Sequence, residues 1–163
     1  MASKEFRVDA TERLKEEFKA WKANHPKDFI AEPCKTEDGT LDMLNWKCAI
    51  PGMPKTHWAG ASYNLSVEFP EDYPYSPPKC QFTPPIFHPN VFPSGTVSLS
   101  LIDRNHGWKP QTTFKEVLVG IQLLLSDPNF DKPAQAEAPA VYFKSSNDYE
   151  QRVIKQRMEM AMK

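Results

Sequence analysis

Sixteen prolines occur in this chain of 163 residues, most of them between Pro70 and Pro110. A proline fixes φ and removes a backbone donor, so regular structure in that stretch has to be broken repeatedly. The runs "YPYSPP" and "TPPIFHP" withhold donors from any sheet yet are rich in aromatic residues. With one short extended segment inside it, the stretch from Pro70 to Trp108 reads as a long ordered loop. Loops of that length inside compact domains are usually functional or disordered, and the aromatic content argues for order.

Regular structure is expected on both sides. Asp9 with Glu12 resembles a capping box, and Leu14, Phe18 and Trp21 follow at i, i+4 and i+7, which predicts an amphipathic helix ending before Pro26. Its other face mixes Arg13, Lys15, Lys19 and Lys22 with Glu12, Glu16 and Glu17 and reads as solvated. Extended segments are expected around residues 29–32, 45–50, 63–69 and 80–83, joined by turns such as "EDGT" and "PGMP". Tyr63, Leu65, Val67 and Phe69 alternate with Asn64, Ser66 and Glu68, the period of two for a sheet with one buried face. An antiparallel four-strand meander is the economical arrangement.

After the loop, Thr113 and Glu116 form a second capping box ahead of Val117, Leu118, Ile121, Leu124 and Leu125. The breadth of that apolar face marks a central core helix. Two shorter helices are expected beyond "SDPNFDKPAQ": one over residues 136–144, and one opening at Asn147 with Glu150 at the reciprocal position. Pro139 fits the former only near its first turn, where backbone donors lack intrahelical partners.

Length and charge narrow the classes of function. One domain over residues 1–163 is expected, large enough to bury roughly 70% of its unfolded surface. The net charge of -1 gives no overall pull toward nucleic acid or membrane. No apolar run approaches the roughly 18 residues that cross a bilayer, and the N-terminus lacks a signal-peptide core, so a nuclear and cytoplasmic setting is expected. Cys34, Cys48 and Cys80 cannot all pair and show no CxxC spacing, while the four histidines are equally dispersed. Buried or inert free thiols are expected, with no metal and no cofactor.

The order of elements, with "FPEDYPYSPPKCQF", "IFHPNVFPSGTVSLSL", Trp108 followed by "KP", and "SDPNFDKPAQAEA", resembles the ubiquitin-like-protein conjugating enzymes from Thr11 to the C-terminus. The resemblance implies an α+β ubiquitin-conjugating fold: an N-terminal helix, a four-stranded antiparallel meander, a core helix and two C-terminal helices. "CAIPG", "TEDGT", "FPSGTV" and "PAQAEA", and the length of "LIDRNHGW", are similar to the SUMO-conjugating branch rather than the ubiquitin-conjugating one. The implied chemistry is acyl transfer. SUMO arrives as a thioester from its activating enzyme, moves to a cysteine, and is attacked by a substrate lysine. The implied partners of a monomeric enzyme are SUMO, the SUMO-activating enzyme, SUMO ligases and lysine-containing proteins.

In that family the nucleophile lies eight residues after the HPN asparagine. Counted from Asn90, the position is Ser98, and no cysteine of this chain occupies it. A free cysteine supplies a few per cent thiolate near neutral pH, whereas a serine hydroxyl normally needs an adjacent base. An acyl group on Ser98 would be an oxyester, slow to form and slow to discharge. Two readings stay open, with the first favoured: an introduced cysteine-to-serine change in an authentic enzyme, or a natural non-catalytic relative that binds SUMO or a ligase. A ubiquitin-conjugating enzyme is a further alternative.

The resemblance also assigns supporting residues. Asn90 supports the active loop or the oxyanion formed by lysine attack. The acceptor lysine lies in a groove bordered by Ser98, Asp131–Ala134 and the start of the next helix, where desolvation favours the neutral amine. Lys132 stands where the SUMO enzyme has an aspartate, with Asp131 as a substitute, and Pro139 stands where it has a tyrosine. Lys79, Phe92, Ser94, Thr96, Gln135 and Tyr149 match substrate-groove or adjacent positions. Recognition of a hydrophobic-Lys-x-Glu motif is implied, with Lys79, Ser94 and Thr96 toward its acidic residue. On the N-terminal helix, Arg13, Phe18, Lys22 and His25 fall on the surface that binds the activating enzyme and a second SUMO, with Phe18 in place of an arginine.

Overall fold

The computed structural model describes residues 4–161, with side chains from Asp9 onward. Helix α1 (Lys4–Ala23) leads into a four-stranded sheet, β1 (Ile30–Lys35), β2 (Leu41–Pro51), β3 (Ser62–Glu68) and β4 (Lys79–Phe82). A short 3-10 turn (Ser100–Ile102) precedes helices α2 (Phe114–Ser126), α3 (Glu137–Lys144) and α4 (Ser146–Ala161). The strands pair in chain order, all antiparallel, as the meander requires. Pro33 lies on the edge strand β1, where a missing donor does least harm, and the register shifts between it and Cys34. Among the described residues no helix is long and apolar enough to cross a membrane.

The core forms where α1 and α2 meet the inner face of the sheet. Trp46 on β2 packs against Phe114 at 4.8 Å between ring centroids, and against Phe69 and Phe18. Helix α2 buries Phe114, Val117, Leu118, Ile121, Leu124 and Leu125, the apolar face expected of it, and Thr113 caps it by accepting from the Glu116 amide at 3.1 Å. Pro139 sits in the first turn of α3, as its missing donor requires.

Three expectations need correction. Helix α1 is already formed at Lys4, so Asp9 lies inside it and does not cap it. Helix α4 is capped by Ser145, whose Oγ accepts from the Asp148 amide at 3.1 Å, so Asn147 falls within the helix. The polar face of α1 is not simply solvated. Arg13 donates to the carbonyls of Pro110 and Thr112 at 3.0 and 3.2 Å and pairs with Glu17 at 3.3 Å. Glu17 accepts from the Phe114 amide at 2.7 Å and from the Tyr73 hydroxyl. A residue of α1 therefore satisfies the first free donor of α2 and ties both to the proline-rich segment.

Candidate active site

Residues 88–98 form a tight hairpin hung on the last strand. Val91 faces Val97 and Gln81 of β4 faces Thr96. The Phe92 amide donates to Thr96 O at 2.9 Å, and the Val97 amide to Cys80 O at 2.9 Å. Gly95 turns the hairpin at φ 94°, and a Cβ there would lie 2.3 Å from the Phe82 carbonyl oxygen, so no other residue fits.

His88 and Asn90 anchor the hairpin from below. His88 is fully buried; its Nε2 donates to Leu124 O at 2.8 Å and its Nδ1 accepts from the Asn90 amide at 2.9 Å. Burial lowers its pKa to about 4, so the ring is neutral at physiological pH with both nitrogens engaged. Asn90 makes a two-bond ladder with Asn129: Nδ2 donates to Asn129 O at 2.7 Å, and Oδ1 accepts from the Asn129 amide at 2.8 Å. Asn129 gives no signal of its own in the sequence, because its role rests on backbone atoms.

The same bonding draws residues 129–135 alongside the hairpin. The Ala134 amide donates to Pro89 O at 2.7 Å, and Gln135 Nε2 donates to Val91 O at 2.8 Å. Ser98 ends the hairpin, half-buried, with its amide donating to Asn90 O at 2.8 Å. Its position is fixed through the backbone. No histidine serves it as a base: besides His88, His106 pairs with Asp103 at 2.7 Å, His57 faces Glu150 at 3.7 Å, and His25 stacks on Trp21. Of the three thiols, two are closed off inside the fold, while Cys34 on the edge strand β1 is half-buried. Cys48 and Cys80 are buried, and burial raises both pKa values, that of Cys80 to about 12.

The other expected site residues separate into two groups. Lys79, Phe92, Ser94 and Thr96 are accessible along β4 and the hairpin, Phe92 being 44% exposed, and the Ser94 and Thr96 hydroxyls are 2.9 Å apart. Gln81 belongs with them, since Lys79 and Gln81 alternate with buried Cys80 and Phe82 and so share the outer face. That alternation was the available signal for Gln81. Asp131 and Lys132 are exposed and Ala134 is half-buried. Asp103, in the loop after Ser98, has its pKa lowered by the Asn105 amide, then by His106, with a smaller contribution from Lys132.

The second group is built into the fold. Gln135 Oε1 accepts from the Ala138 amide at 3.3 Å while its Nε2 holds Val91, so this side chain braces α3 against the hairpin. Pro139 and Tyr149 are buried within α3 and α4. On α1, Arg13 is held by the carbonyls before α2, and Phe18 packs edge-on against Trp46 at 5.2 Å. Lys22 and His25 remain exposed, with the Lys22 ammonium 4.5 Å above the Phe18 ring.

Residues 13–157 match the ubiquitin-conjugating enzyme family. The chain is 52% identical over 152 residues to the SUMO-conjugating enzyme UBC9 of Caenorhabditis elegans, covering 93% of this chain and 92% of that protein. It is 47% identical over 141 residues to the SUMO-conjugating enzyme SCE1 of Arabidopsis thaliana, covering 86% and 88% of the two chains. Against the Sumo-conjugating enzyme ubc9 of Dictyostelium discoideum the identity is 48% over 141 residues, covering 86% and 89%. A helix-meander-helix architecture, an HPN hairpin pinned to the core helix, and identity of this extent across most of three relatives lead to one conclusion: the chain belongs to the ubiquitin-conjugating enzyme family.

Proposed function

We propose that this chain is the scaffold of a SUMO-conjugating transferase, acting in the nucleus and cytoplasm, with Ser98 at the acyl-accepting position. The observation that carries the reading is the placement of Ser98. It is partly accessible, its amide is fixed to Asn90, and it lies on the hairpin that residues 129–135 flank. With sulfur at that position, a thiolate attacks the incoming SUMO thioester and expels the activating enzyme's thiolate. A neutral lysine amine then attacks the carbonyl, the C–N bond forms, the C–S bond breaks, and the thiolate leaves. Ser98 supplies almost no alkoxide for the first step and a far more basic leaving group in the second. Activity of the chain as it stands is therefore strongly reduced, and any product on Ser98 is a reduction-resistant oxyester.

The proposed partners are SUMO, its activating enzyme, ligases and lysine-bearing substrates, a reading supported by the likeness to SUMO-conjugating enzymes. Lys22 and His25 are the residues of α1 that remain available to SUMO or the activating enzyme. Lys79, Phe92, Ser94 and Thr96, with Asp131 and Lys132 across the groove, are available to substrate. The engagement of all four histidines away from Ser98 favours a second reading, a non-catalytic module that binds SUMO or a ligase.

The test incubates the chain and its Ser98→Cys variant with SUMO, activating enzyme and ATP. Fast formation of a reducible adduct by the variant, against trace reduction-resistant adduct by the parent, supports the transferase. An unloaded Ser98→Cys variant that still binds SUMO supports the binding module. Running ubiquitin with its own activating enzyme in parallel separates the two modifiers.

A further inference from the structure

A cleft of about 560 Å³ opens between the loop joining β2 to β3, the C-terminal end of α2, and helices α3 and α4. Trp58, Leu125, Phe130, Tyr142 and Tyr149 give it apolar and aromatic walls. Tyr149 is only 8% exposed, and its hydroxyl is buried without a hydrogen-bond partner. Buried hydroxyls are almost always matched, and burial holds this one neutral by raising its pKa to about 12. A neutral hydroxyl both donates and accepts, so the wall of the cleft contains an unmet demand for a polar group set among aromatic rings.

The charges at the mouth are four. His57 Nε2 lies 3.7 Å from the Glu150 carboxylate. Asp127 and Lys55 remain. Asp127 caps α2, its amide bonded to Leu123 O and Leu124 O, so its carboxylate lies beside the negative end of the helix. Lys55 is exposed and carries its charge on a long flexible stem that can swing outward. The carboxylates of Asp127 and Glu150 and the C-terminal end of α2 together outweigh the one lysine, so the field at the mouth favours a cation.

The cleft is joined to the active-site hairpin through direct contacts. Its lining residues Pro128 and Phe130 flank Asn129, which makes both hydrogen bonds to the Asn90 side chain. Its Trp58 packs on the His88 ring at 5.7 Å. An occupant that shifts residues 128–130 thereby acts on the support of the hairpin. The geometry points to a regulatory binding site in this cleft for a small planar aromatic ligand with a cationic head, its polar ring substituent satisfying the Tyr149 hydroxyl and its occupancy transmitted through Asn129 to Asn90. Binding is independent of the transferase reading; only its effect on lysine transfer would rest on that reading.

Tyramine and 4-hydroxyphenylacetate are the probes, sharing a phenol ring and differing in the sign of the head. Titrating the isotope-labelled chain with tyramine while recording NMR spectra is expected to give saturable shifts at Tyr142, Tyr149 and Asp127 with a millimolar dissociation constant. The Asn90 and Asn129 side-chain amides should move with the same curve. 4-Hydroxyphenylacetate should bind at least about 5-fold more weakly. Tyr149→Phe, which removes an unmatched polar atom, should fold with no loss of melting temperature and weaken tyramine about 5–10-fold. The site is overturned if tyramine gives no saturable shift at ten times the expected constant, or if Tyr149→Phe binds it unchanged. Equal binding of the two probes overturns the cationic preference. Saturation that leaves the Asn90 and Asn129 amides unmoved overturns the coupling.

Discussion

The hairpin that carries Ser98 and the helix α1 both hold residues that similarity assigns to function, and the fold treats them in opposite ways. In the hairpin the supporting residues are buried and bonded, so that one half-exposed position is left at its end. His88 and Asn90 each make two short hydrogen bonds, to Leu124, Asn129 and the local backbone, and Ser98 follows at a fixed spacing. On α1 two of the four assigned residues have been taken into the structure: Arg13 holds the segment before α2, and Phe18 fills space beside Trp46. Position in a family is therefore a statement about geometry in the hairpin and only about location on the helix. A buried polar network tolerates no change in its members, whereas a surface helix can trade a partner contact for packing.

The sharpest way to test that contrast is Ser98→Cys. If the hairpin retains the geometry of an active enzyme, this single atom exchange raises SUMO loading by several orders of magnitude, read as a thiol-sensitive adduct on a gel. Loading that stays at the parent level would show that the hairpin's order no longer serves chemistry.

Acid is the next largest perturbation. His88 is neutral in the fold with a pKa lowered to about 4 from 6.5. Because the unfolded chain binds the proton first, the associated stability is complete above pH 6.5 and is lost as pH falls toward 4, a change of roughly 3 kcal/mol. Urea unfolding at stepwise pH, compared with His88→Asn, measures it. The variant is expected to be less stable at pH 7 and to show a shallower slope between pH 6.5 and 4.

Asn90→Ala strips two partners from the Asn129 backbone, and the expected cost is about 2 kcal/mol in urea unfolding. In the Ser98→Cys background the same substitution separates support from chemistry. Normal loading with slow lysine discharge would add an oxyanion role, and unchanged discharge would leave support alone. On α1, Arg13→Ala should cost about 1 kcal/mol of stability through its lost carbonyl partners. Lys22→Ala should stay within about 0.5 kcal/mol and instead weaken SUMO or activating-enzyme binding. A reversal of those two results would erase the distinction drawn between the buried and exposed residues of the helix.

Much of the architecture was legible in local pattern. The alternation from Tyr63 to Phe69 marked β3 and its buried face, and Thr113 marked the start of α2. Each of these signals lies within a dozen residues, the range over which periodicity and capping act. Local pattern also misled at the ends of elements. Asp9 and Asn147 had the composition of caps, but α1 is already formed at Lys4 and Ser145 caps α4.

By itself, then, the chain's order of residues determined the helices, the meander and the broken loop, because these depend on steric and periodic rules between near neighbours. Only the tertiary structure decided which polar side chains became internal supports. Asn90 meets Asn129 across 39 positions, and Arg13 and Glu17 meet the start of α2 across 97 or more. The Tyr149 hydroxyl is left without a hydrogen-bond partner for the same reason. Whether a buried polar atom is matched depends on what folding brings beside it, and no spacing within the chain encodes that.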